Sequence, residues 1–163
     1  MILGTPPPVY PWPIGVGPRY HPAAANPAVR AGKPVSGMTC ANGRRFAVHL
    51  ELFAGRKVII VPPRIGVARS GCRYPLSTDT PTGVVEVRAA ARYTLGDFFR
   101  IWGRTLASTR LLSFRGRVSV YVNGRRRTGK PGTLPLHRHD EIVVEVGPYV
   151  APHTSYLFPK GVG

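Results

Sequence analysis

Nine of the eighteen prolines fall in the first 37 residues, a stretch with no acidic residue. Each proline fixes φ and removes an amide donor, so Thr5-Pro6-Pro7-Pro8-Val9-Tyr10-Pro11-Trp12-Pro13 cannot be helical and reads as extended or polyproline II backbone. Residues 1–37 are therefore expected to form a proline-rich extended or disordered arm. This start lacks the basic opening and apolar stretch of a signal peptide. A single domain is expected over residues 38–147. Proline returns after it, and Tyr149, Tyr156 and Phe158 are expected to tie residues 148–163 down as a tail packed on the domain.

Between the arms, hydrophobic periodicity sets the fold class. Phe46, Val48, Leu50 and Leu52 alternate with Ala47, His49, Glu51 and Phe53, the period of a half-buried strand. Ala54-Gly55-Arg56 reads as a turn and Lys57-Val58-Ile59-Ile60-Val61 as the returning strand, ended by Pro62-Pro63. A third strand is expected at residues 84–88. Thr94-Leu95-Gly96-Asp97 opens a helix with a capping box, Leu95, Phe98, Phe99 and Trp102 give it one apolar face, and Gly103 stops it. Residues 118–122 alternate again, Asn123-Gly124 signals a two-residue hairpin, and residues 125–128 return. The last strand is expected at residues 141–146, with Glu141 and Glu145 on its solvent face. The order predicts an α+β domain, a small mixed sheet with one short amphipathic helix, β-grasp-like in flavour; a small β-sandwich is the alternative.

A hydrophobic fraction of 43% in 163 residues supports a globular body, and no apolar run approaches the roughly 18–20 residues of a membrane helix. The formal net charge is +16, from 23 Lys+Arg against 7 Asp+Glu. Such a surplus suits a polyanion: nucleic acid, an anionic lipid surface or an acidic polymer. The candidate residues are Arg44, Arg45, Arg56, Arg125, Arg126 and Arg127, provided that they share one surface. The competing explanation is compositional drift, because the arginines are scattered along the chain.

Cys40 and Cys72 are the only cysteines. They can form one disulfide in an oxidising compartment or remain as buried thiols. Their spacing is not that of a zinc knuckle. His137 and His139 stand at i, i+2 and would share a face if extended, although an ordinary solvated turn explains them as well. His21 and His153 lie in proline-rich stretches without partners. Asp97 is read as a cap. Asp79 and Glu86 could act as an acid/base pair, and Ser77-Thr78-Asp79 with His49 is the one nucleophile–imidazole–carboxylate set available. No nucleophile elbow, phosphate-cradling loop or metalloprotease helix is present in the sequence.

Several segments follow one another in a familiar order. They are Val35-Ser36-Gly37-Met38-Thr39-Cys40, the strand around His49-Leu50, Pro63-Arg64-Ile65-Gly66-Val67, Cys72-Arg73-Tyr74, Gly83-Val84-Val85 and Thr94-Leu95-Gly96-Asp97-Phe98-Phe99. Val120-Tyr121-Val122-Asn123-Gly124 and His139-Asp140-Glu141-Ile142 complete the series. Residues 35–160 thereby resemble an uncharacterised family of small bacterial proteins, often exported or membrane-anchored. That family carries a His-x-His-x-His strand and a His-Thr-His-Asp segment, which together imply a metal site. Here the strand keeps only His49, with Arg45 and Ala47 at the other two positions. The later segment reads Ser77-Thr78-Asp79-Thr80, and a further family histidine falls at Glu86. The resemblance thus implies a degenerate site for a divalent metal at His49, Asp79 and Glu86, and an extracytoplasmic setting. The chain is expected to be a non-catalytic binding or structural module. The alternatives are a basic polyanion or nucleic-acid binder and a metal-dependent enzyme or metal carrier.

Overall fold

The computed structural model describes residues 17–22, 35 and 37–163. The polyproline expectation for residues 5–13 lies outside the described residues. The strands are β1 (Gly17–Tyr20), β2 (Arg45–Ala54), β3 (Lys57–Ile59), β4 (Leu76–Ser77), β5 (Val84–Arg88), β6 (Leu106–Ala107), β7 (Arg110–Leu111), β8 (Phe114–Arg115), β9 (Val118–Val122), β10 (Arg125–Arg127) and β11 (Glu141–Val146). One α-helix, α1 (Leu95–Trp102), and a 3-10 turn at Pro131–Thr133 complete the fold.

The main sheet runs β1-β3-β2-β11-β9-β10. Its centre is a parallel pair, β2 and β11, in register from Glu141↔His49 to Val146↔Ala54. Antiparallel hairpins flank that pair: β2 with β3 on one side, β9 with β10 on the other. This is a mixed α+β, β-grasp-like domain. Successive amides of β2 point to opposite edges: His49 N–H donates to Asp140 O at 2.9 Å and Leu50 N–H to Gly83 O at 2.8 Å. One edge of β2 is therefore held by β11. The other is shared by β5, which pairs Arg45 to His49, and by β3, which pairs Leu52 to Ala54.

Hairpin chemistry fixes these pairings. Gly55 and Arg56 both have positive φ (54° and 62°), as do Asn123 and Gly124 (52° and 82°). That combination gives the primed turns whose twist matches the strands. The helix is set by its capping box: Asp97 N–H donates to Thr94 Oγ1, and Thr94 N–H donates to the Asp97 carboxylate. Gly103, with φ 77°, closes the other end.

One face of the sheet buries Val48, Leu50, Leu52, Val85, Val87, Val120, Val122, Ile142 and Val144 against Leu95, Phe98, Phe99, Ile101 and Trp102 of α1. The opposite face carries Phe53, Val58, Ile60 and Val143, covered by Val150. This second layer corrects one expectation. Glu141 and Glu145 do not face solvent: β11 is buried along its whole length, because residues 147–163 cross the face that the alternation left open. A central strand covered on both sides does not show the polar-out pattern of a half-solvated one.

Residues 104–117, left without elements in the sequence reading, form the small antiparallel sheet β6-β7-β8. Gly17–Tyr20, inside the stretch read as an arm, pairs parallel with β3. Cys40 and Cys72 form a disulfide. No described helix is long and apolar enough to cross a membrane.

Candidate metal centre

Beneath residues 147–163 the second face of the sheet holds a cluster of ionisable side chains. His49 and Glu51 stand two apart on β2 and so share a face, and Glu141 is the register partner of His49 on β11. His49 and Glu141 are 0% exposed, Glu51 is 2% and His153, arriving from beyond β11, is 8%. Ligand atoms of His49, Glu51 and Glu141 all lie within 4.8 Å of one another.

The hydrogen bonds define the electronic state of the site. His49 Nε2 is 2.8 Å from the carbonyl oxygen of Thr82. A carbonyl only accepts, so Nε2 carries the proton and donates it there. Gly83 makes that approach possible: its φ is +87°, and a Cβ there would sit 2.4 Å from Leu50 O and 3.1 Å from His49 Nε2. Burial lowers the His49 pKa to about 4, overriding the opposing pull of Glu51, so the ring is neutral near pH 7. Its Nδ1 is then a lone pair, and it faces Glu141 Oε2 at 2.7 Å. Two acceptors at that separation need a cation between them. With no metal, that cation is a proton held on Glu141, whose pKa is raised well above the ordinary value by burial and then by the Glu51 charge. Glu141 Oε1 is buried with no hydrogen-bond partner.

Glu51 is held from the other side. His153 Nδ1–H donates to both carboxylate oxygens, at 2.8 and 2.9 Å. Burial works against a charge on His153, but the Glu51 hydrogen bond and then the Glu51 charge outweigh it and raise its pKa. Tyr156 lies flat on His49, ring centroids 3.5 Å apart and planes 6° from parallel. Burial above all pushes its hydroxyl up to about 12.

The donor set fits a divalent ion of borderline softness. Imidazole suits Zn, Fe, Ni and Cu, and carboxylates suit harder ions. A metal-bound histidine usually donates its other ring N–H to a backbone carbonyl or carboxylate, and that bond already exists at Thr82. Tetrahedral ligands at about 2.0–2.1 Å from zinc stand about 3.4 Å apart, so the 2.7 Å contact need open by less than about 1 Å. The unpartnered Glu141 Oε1 offers a further donor, and two carboxylates balance the charge of a divalent ion in a buried site.

Of the residues expected to bind metal, only His49 belongs to this cluster. Asp79 is half exposed and pairs with Arg73 at 2.5 Å. Glu86 lies in register with Ala47 and Ser77, where Arg45 is the neighbouring charge. Arg45 stands four residues from His49 on β2, about 13 Å along the strand. Its guanidinium donates to Tyr74 O at 2.8 Å and Pro75 O at 3.3 Å.

The nucleophile set does not assemble either. Ser77 Oγ accepts from Arg45 and Arg73, and Thr78 Oγ1 bonds Pro62 O and Ile65 N–H. His137 sits 3.5 Å from Asp140, while His139 stacks on Phe158, so these two histidines do not form a metal pair. The six arginines are distributed over several elements. Arg45 opens β2 and Arg56 sits in the turn that follows it, at the far end of a strand about 30 Å long, and Arg125, Arg126 and Arg127 are on edge strand β10.

Glu51, Glu141 and His153 were missed as site residues. Alternation puts Glu141 on a solvent face and Glu51 merely opposite the apolar face of its strand, and His153 is 102 residues from Glu51 in sequence. The one available signal was that Glu51 shares the His49 face. No protein-family model, curated protein or solved structure matches this chain.

Proposed function

We propose that this chain is a non-catalytic metal-binding module that holds one divalent transition ion through His49 Nδ1, Glu51 and Glu141. One observation carries the reading. The His49 lone pair faces a buried carboxylate oxygen at 2.7 Å while the other ring nitrogen is committed to Thr82. The role is holding rather than turnover, because the three ligands are buried and Tyr156 lies flat over His49. His153 orients Glu51 from outside the ligand set. The disulfide suits an oxidising setting, in keeping with an exported protein.

The test is metal content and titration. Protein purified without chelator, or stripped and titrated with Zn²⁺, is expected to bind one ion per chain by elemental analysis. Glu141→Gln, which keeps the shape and removes the anionic ligand, is expected to abolish stoichiometric binding while preserving the fold. Absence of one-to-one binding by the wild type, or full retention by Glu141→Gln, would sink the proposal.

A further inference from the structure

Resting on that reading, we infer that residues 147–163 are the gate of the metal centre: the ion enters when this segment lifts from the sheet, and the bound ion holds it down. The ligands come from β2 and β11, which are joined through six register pairs at the middle of the sheet. That side cannot open without unmaking the fold. The opposite wall is a segment with no helix or strand after Val146.

What fixes the segment in place is largely side-chain contact. Val150 packs with Phe53, Val58, Ile60 and Val143. His153 binds Glu51, Tyr156 covers His49, and Phe158 stacks on His139 with centroids 4.5 Å apart. These contacts are local and separable from the ladder, so this wall can move while the ligands stay on their strands.

The same geometry gives the gate a reason to respond to the ion. His153 donates to both oxygens of Glu51, so it is a positioning residue that fixes the orientation of a ligand it does not replace. Tyr156 lies over the ring whose Nδ1 would bind the ion, shielding it from solvent. An ion that locks His49 and Glu51 therefore locks the surfaces on which Tyr156 and His153 rest. The cargo is a borderline divalent ion such as Zn²⁺, which must shed its water to reach three buried ligands. Loading and release should then follow opening of the segment rather than diffusion to an exposed site.

Two measurements on the full chain test this: amide hydrogen exchange with and without one equivalent of Zn²⁺, and the rate of Zn²⁺ transfer to a chromogenic chelator. Zinc is expected to slow exchange in residues 147–163 while leaving β2 and β11 protected in both states. Tyr156→Ala keeps all three ligands and His153 and is expected to speed release. His153→Ala is expected to weaken zinc binding by about 10–100-fold, and His153→Asn, whose amide can donate as Nδ1–H does, to restore most of it. If zinc binds one per chain but exchange in residues 147–163 is unchanged, or release is unaffected by Tyr156→Ala, the gate is wrong and the metal site stands. If the wild type holds no stoichiometric zinc, the site and the gate fall together.

Discussion

His49 shows how much of a residue's chemistry is set by groups far away in sequence. Its strand and its face follow from alternation alone. Its tautomer is fixed by Thr82, its lone pair is aimed by register at Glu141, and its burial comes from the segment bearing Tyr156. Those three partners lie 33, 92 and 107 residues away, which is why the site was only partly legible. Glu145 permits a test of the same burial away from the ligands. Burial raises its pKa from the ordinary 4.5, against the opposing Val150 amide and the Arg126 charge. A carboxyl that binds its proton more tightly when folded contributes stability at low pH, which is lost as pH rises from 4.5 through the raised folded value. Glu145→Gln keeps an acceptor for Val150 N–H. It is expected to raise Tm at about pH 7 and leave it nearly unchanged at about pH 3. Equal shifts in thermal melts at both pH values would contradict this account.

Among the elements, α1 depends on signals within ten consecutive residues, and all of them operate. Thr94 caps, Asp97 completes the box and pairs with Arg100, and Gly103 ends the helix. Thr94→Ala is expected to cost about 1 kcal/mol through the lost cap. Trp102→Ala is expected to cost about 3–5 kcal/mol, because the indole is fully buried between the helix and the sheet. Chemical denaturation of both variants measures these differences, and unchanged midpoints would remove the packing argument. The hairpins were legible for the same reason as the helix: Gly55-Arg56 and Asn123-Gly124 state their turn geometry locally. β4 and the β6-β7-β8 sheet were not, because two-residue strands carry no period. The polar face of β11 was misread because alternation cannot distinguish a glutamate facing water from one facing a buried histidine.

Over the whole molecule, the formal net charge is +16, and several of the arginines behind it are engaged within the fold. Arg45 and Arg88 are tied to backbone carbonyls, and Arg73 to Asp79. The Cys40–Cys72 bond fastens the segment before β2 to the loop before β4, across a separation of 32 residues. Reducing it, or replacing both cysteines by serine, is expected to cost about 2–4 kcal/mol. Urea unfolding with and without reductant checks this, and mass spectrometry of native protein should find both sulfurs blocked to alkylation. The parallel union of β2 with β11 has a kinetic corollary. A nascent chain has made His49 and Glu51 long before Glu141 leaves the ribosome, and joining such distant strands is intrinsically slow. On the proposed reading, capture of a cation by all three side chains therefore waits until synthesis has passed Glu141 and β11 has joined β2.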